Sequence, residues 1–277
     1  MKISSFFLLV VILFGCKPGP GNFIKTSDGI DMCYEIHGTK EPTLIFVPGW
    51  TCDATAWDDQ IIYFKDKYRV VVLDLPGFGR SGSDRNNWSM ERYGADVAEL
   101  ATELKLENVL LIGHSLGGCV VLEAAKKFQS ELKAVVLVDV LRSLNATYDS
   151  THAINYFNAW KENIKNFDYL YSYFGNDSTL AKRWLAMLPS SIPESWFPIL
   201  EENFRWRNED AIPSVSVIDI PIRAINSDRS ETNFEEWNTY ARDFNAIIIE
   251  NCGHYVHWEY PDEFNEALNG MIKEITE

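Results

Sequence analysis

The stretch Val109-Leu110-Leu111-Ile112-Gly113-His114-Ser115-Leu116-Gly117-Gly118 decides how the chain is read. Its first four residues are apolar and non-alternating, the pattern of a parallel strand covered on both faces. A helical segment follows through Phe128. Gly-x-Ser-x-Gly between a buried strand and a helix is a nucleophile elbow. The turn is so sharp that the serine takes strained backbone angles, and its flanking glycines let neighbouring backbones pass close by. Ser115 is thereby held clear of the sheet at the positive end of a helix, and it is the candidate nucleophile.

Working outward, short apolar runs recur on both sides of this strand. Residues 43–47, 69–73 and 134–138 share its β-branched, non-alternating character. Residues 23–26 and 30–36, joined at Asp28-Gly29, read as a hairpin. Between two of the strands lies a helix with Tyr93, Val97, Leu100 and Leu104 on one face, with Ser89 as its N-cap and Glu91 in its first turn. Strand–helix alternation of this kind predicts an α/β fold, a mostly parallel sheet with helices on both faces. The alternation pauses over 141–217, which is helical in period and rich in aromatics such as Tyr156, Trp160, Trp184 and Trp206. Strands resume at 220–225 and 246–249, and a closing helix starts at Pro261. The simplest organisation is a sheet domain over 22–140 and 218–277, with 141–217 inserted as a helical cap. The aromatics of that insertion are expected to pack the cap onto the sheet.

A serine hydroxyl needs a base, and the chain has five histidines. His114 is adjacent to Ser115 and cannot easily turn its ring onto the hydroxyl. His37 closes the hairpin and His152 opens the insertion. His254 follows the last strand, on a loop at the carboxyl end of the sheet, and is the candidate base. His257 is its competitor. The orienting carboxylate is expected at Asp228, after the strand 220–225, with Asp139, after the strand 134–138, as the alternative. The resulting order is Ser, Asp, His.

At this point the chain resembles the α/β-hydrolase superfamily, from about Leu44 to the closing helix apart from the insertion. Val47-Pro48-Gly49-Trp50 stands where that family has its oxyanion loop, with Pro48 in place of the usual histidine. The run 74–82 (Asp-Leu-Pro-Gly-Phe-Gly-Arg-Ser-Gly) matches its loop after the next strand, and Gly253-His254 with Glu259 and Pro261 matches its histidine loop. The resemblance implies that the backbone amides of Trp50 and Leu116 stabilise an oxyanion. Serine at the elbow, where epoxide hydrolases and dehalogenases of this fold carry aspartate, implies acyl chemistry. A carboxylic-ester hydrolase working through an acyl-enzyme on a small-molecule substrate is the leading expectation. A carbon–carbon bond hydrolase is the nearest rival, and a binding protein of the same fold without turnover is a third.

Length and composition fit this picture. The chain has 277 residues, 46% hydrophobic and 23% charged, enough for a large core. A formal net charge of −15 argues against nucleic acid or an anionic membrane surface as a partner. No HExxH pair, P-loop, dinucleotide fingerprint or EF-hand loop is present, so no metal or cofactor is expected. At the amino terminus, Lys2 and an apolar run over 6–14 read as an export signal, too short to span a bilayer as a mature helix. Leu13-Phe14-Gly15-Cys16 resembles the lipobox of bacterial lipoproteins, which implies a signal over 1–15, acylation of Cys16 and a place in the cell envelope. An ordinary signal peptide cut near Gly15 is the alternative. The other four cysteines match no zinc pattern. A Cys52–Cys252 bridge is conceivable, although unpaired cysteines are the stronger expectation.

Overall fold

A computed structural model describes residues 21–174 and 177–276. The apolar run 6–14 and Cys16 lie outside the described residues. Eight strands form one sheet: β1 (Asn22–Lys25), β2 (Asp31–His37), β3 (Thr43–Val47), β4 (Arg69–Leu73), β5 (Val109–His114), β6 (Leu132–Val138), β7 (Ile222–Ser227) and β8 (Phe244–Ile249). Their spatial order is β1-β2-β4-β3-β5-β6-β7-β8. β2 pairs antiparallel with both its neighbours, β1 and β4; β3 to β8 run parallel. Every residue of β3 and β5 is buried, which is why their sequences read as apolar runs rather than alternating ones; β7 is equally buried but carries Arg223, Asn226 and Ser227.

The helices follow from equally local causes. Those of the sheet domain are α1 (Asp58–Phe64), α2 (Met90–Glu103), α3 (Leu116–Phe128), α9 (Phe234–Tyr240), α10 (Val256–Glu259) and α11 (Pro261–Thr276). Ser89 caps α2 by accepting from the Arg92 amide at 3.2 Å. Proline at the first position of α11 costs no intrahelical bond there. α1 and α9 are single short elements of seven residues, too brief for a hydrophobic period to show.

Between β6 and β7 stand five helices: α4 (His152–Asn163), α5 (Phe167–Phe174), α6 (Ser178–Met187), α7 (Trp196–Glu209) and α8 (Ala211–Ser216). Three buried indoles fasten them to the sheet domain. Trp184 Nε1 donates to Thr51 Oγ1 at 3.1 Å, Trp196 Nε1 to the Gly77 carbonyl at 3.1 Å, and Trp206 Nε1 to Glu123 Oε1 at 2.7 Å. Each places an apolar ring in the core while its one donor finds a partner. The four cysteines among the described residues, Cys33, Cys52, Cys119 and Cys252, are all free and buried.

Candidate active site

The centre of the sheet positions the serine. β5 lies between β3 and β6 and runs straight into Ser115, whose φ is +52°. A Cβ at Gly113 would sit 2.2 Å from the Gly117 carbonyl oxygen, and one at Gly117 2.4 Å from that of Val47. No side chain fits at either place, so both glycines of the motif are steric requirements. The Ser115 amide continues the ladder to the Val138 carbonyl at 3.0 Å. Its side chain stands at the N-terminus of the thirteen-residue helix α3, in the field of the helix dipole.

Asp139 directly follows strand β6 and also takes a positive φ, +51°. That backbone turns the carboxylate toward the β7 and β8 loops. Asp139 Oδ2 accepts from His254 Nδ1 at 2.6 Å, and Oδ1 accepts from the Ser227 amide at 2.7 Å and from Arg142 Nη2. Burial alone raises the pKa of this carboxyl, but the hydrogen bond and charge of His254, the Arg142 guanidinium and the Ser227 amide outweigh it and hold the group well below the usual range. An ionised Asp139 accepts a proton bond at Nδ1, so the free lone pair of His254 is on Nε2.

The expectation for Asp228 is therefore corrected. Its carboxylate does not touch His254. It is exposed and accepts from the backbone amides of Asn251 at 2.9 Å and Cys252 at 3.4 Å. Asp228 braces the loop that carries the histidine, and Asp139 supplies the charge beside the ring.

The loop bearing His254 is held from four directions. The His254 amide donates to the Tyr173 carbonyl of α5 at 2.9 Å, and the Gly253 amide donates to Glu259 Oε2 at 2.9 Å. His114 Nε2 bonds the His254 carbonyl at 3.0 Å, and Asp228 closes the set. His114 is fully buried, and burial followed by the neighbouring His254 pushes its pKa down to about 3, so it is a neutral structural ring. His257 is also buried, stacks on Trp57 with centroids 4.4 Å apart, and lies behind His114 at 4.7 Å. Its motif position suggested a competitor, but its ring belongs to the core.

Ser115, Leu116, Asp139, His254, Gly49 and Trp50 line one cavity of about 590 Å³ beneath the cap helices. Among the described residues, neither the Trp50 nor the Leu116 amide has a hydrogen-bond acceptor, so both are available donors beside the serine. The Trp50 ring is boxed by Tyr156, Phe157, Trp160 and Trp196 of α4 and α7, with centroids 4.8–6.3 Å away. Ser115 Oγ makes no hydrogen bond among the described residues; in such sites the serine–imidazole contact often tightens only with substrate in place. No group of three or more His, Cys, Asp or Glu side chains among the described residues is placed to hold a metal ion. The Tyr173 carbonyl carries no sequence signal; for Arg142 the one hint is its spacing three residues beyond Asp139.

The model of the Alpha/beta hydrolase family matches residues 44–267. The chain belongs to this family. Among curated proteins it is 24% identical to the "Putative non-heme chloroperoxidase" of Synechocystis sp. over 276 residues, covering 90% of this chain and 97% of that protein. It is 35% identical to the bifunctional esterase/perhydrolase of Acinetobacter calcoaceticus over a shorter stretch of 98 residues, 35% of this chain and 36% of that one. Among solved structures, an esterase from Thermogutta terrifontis superposes with a TM-score of 0.77 at 19% identity, over 94% of this chain and all of that one. This α/β hydrolase thus shares a whole-chain fold with an esterase, and its fold class is the one the strand pattern predicts.

Proposed function

We propose that this α/β hydrolase is a cofactor-independent serine hydrolase that cleaves carboxylic esters through an acyl-enzyme. The observation that carries the reading is the convergence on one cavity of a strained elbow serine and an imidazole bonded to a buried carboxylate. Ser115 Oγ attacks the carbonyl carbon while His254 Nε2 takes its proton, and Asp139 steadies the imidazolium that forms. The amides of Trp50 and Leu116 donate to the oxyanion, each worth about 3 kcal/mol of transition-state stabilisation. His254 then protonates the departing alcohol and activates water for deacylation. The amino-terminal sequence supports export and attachment to a bacterial membrane through Cys16.

A fluorophosphonate probe is expected to label the wild type and not Ser115→Ala, with short-chain nitrophenyl esters hydrolysed only by the former. An unlabelled wild type that turns over no ester sinks the proposal. A diketone of the ring-cleavage type, run beside the esters, separates it from carbon–carbon bond hydrolysis.

A further inference from the structure

The cavity holds more positive charge than the proposed chemistry uses. Arg142, Arg207 and Arg229 all line it. Arg142 is committed, bonding Asp139 and Ser227 Oγ. Arg207 is not. It stands in the last turn of α7, with its guanidinium carbon 4.7 Å from the centroid of the Tyr148 ring. Its Nε is buried without a hydrogen-bond partner, and among the described residues no carboxylate pairs with it. The carbonyl end of a helix favours a basic residue. That accounts for an arginine in this turn, but not for one turned into a cavity wall with its donors unused.

Arg229, exposed on the loop after β7, stands 5.6 Å from the Tyr173 ring centroid, also without an ion pair among the described residues. The carboxylates on the cavity wall are Asp139, already engaged, and Glu231, exposed at the same rim as Arg229. The rest of the wall near the cap is aromatic, including Tyr156, Trp160 and Phe204. Arg207 is half-buried, and only its Nε is buried without a partner; a carboxylate entering the cavity can pair with this guanidinium in a planar fork that no protein carboxylate occupies.

We infer that the substrate is an ester that also bears a carboxylate, and that Arg207 binds this carboxylate beneath the cap. The inference rests on the acyl-hydrolase reading above and adds the substrate class to it. The carboxylate can belong to the acyl or to the alcohol part, and the test has an arm for each.

For the acyl part, 4-nitrophenyl hydrogen glutarate is compared with 4-nitrophenyl pentanoate. For the alcohol part, 4-(butanoyloxy)benzoate is compared with its carboxamide. The wild type is expected to favour one charged ester over its neutral partner by about tenfold or more in kcat/KM, the usual worth of a charged hydrogen-bonded pair. Arg207→Met lowers that ratio by about the same factor, and Arg207→Lys retains part of it. A wild type that turns over the neutral partners as well or better overturns the inference, as does a ratio untouched by Arg207→Met. If that variant fails to fold by circular dichroism, Arg207→Gln serves in its place.

Binding without turnover is read by tryptophan fluorescence with N-butylglutaramic acid, expected to weaken about tenfold in Arg207→Met. Binding that depends on Arg207 with no ester cleaved would keep the anion site and sink the acyl reading. Binding indifferent to Arg207 sinks the anion site.

Discussion

Asp139 and Asp228 follow neighbouring strands and end at the same edge of the sheet. Sequence spacing alone cannot choose between them, because either loop can reach a histidine arriving from β8. The choice is made by backbone geometry: at φ +51° Asp139 turns inward, while Asp228 spends both oxygens on loop amides. Asp139→Asn is therefore expected to lower kcat by about 10⁴-fold, through loss of the charge that orients and stabilises the imidazolium. Asp228→Asn is expected to keep kcat within about tenfold, since one amide bond to the loop survives. Ester kinetics on the two variants, measured side by side, check both outcomes, and a reversal would return the acid role to Asp228. The placement of Ser115 and His254 on one cavity was legible because a motif points to the one and elimination to the other. Arg207 was not, because it lies in a cap helix where no motif constrains side-chain direction.

At the scale of elements, the sheet was legible nearly strand for strand, since burial on both faces of its central strands leaves apolar runs and turn residues mark the rest. The cap was legible only as a helical, aromatic interval, and its fastenings emerge from contacts between distant residues. Glu123 on the elbow helix is one such anchor. Its Oε1 accepts from Trp206 Nε1, Ser214 Oγ and Lys126 Nζ, at 2.7, 2.7 and 2.9 Å. These bonds outweigh burial and lower the pKa of its carboxyl. Trp206→Phe removes one donor from a buried carboxylate and is expected to cost about 2 kcal/mol. Urea unfolding followed by circular dichroism measures it; an unchanged midpoint would show that this bond holds nothing.

For the whole molecule, His114 and His257 together set an acid limit. Both are buried and neutral in the fold, His114 with a pKa near 3 and His257 also well below the ordinary 6.5. As pH falls below about 6.5 the unfolded chain gains protons that the native rings refuse, so stability declines in that window. His257→Phe, which keeps a ring against Trp57, is expected to flatten the decline in unfolding midpoints between pH 7 and 4. An identical slope in the variant would place the acid sensitivity elsewhere. The amino terminus makes a separate prediction about location. Grown with labelled palmitate in a bacterial host, the full chain is expected to incorporate the label, and Cys16→Ser is expected to lose both the label and membrane association. A wild type that stays unlabelled and free of the membrane would favour simple cleavage near Gly15.

The bond from the His254 amide to the Tyr173 carbonyl ties the histidine loop to α5, where a Cβ at Gly253 would lie 2.4 Å from that same carbonyl. Ser115 and Asp139, by contrast, sit on adjacent strands and share one ladder. Two of the three residues are thus held by the sheet alone, and the third by a loop tied to both sheet and cap. Sub-global opening of α5 is expected to remove one of the four holds on the histidine loop while the serine and the carboxylate keep theirs. On heating, the activity proposed above is therefore expected to fade as the cap opens, before the sheet unfolds.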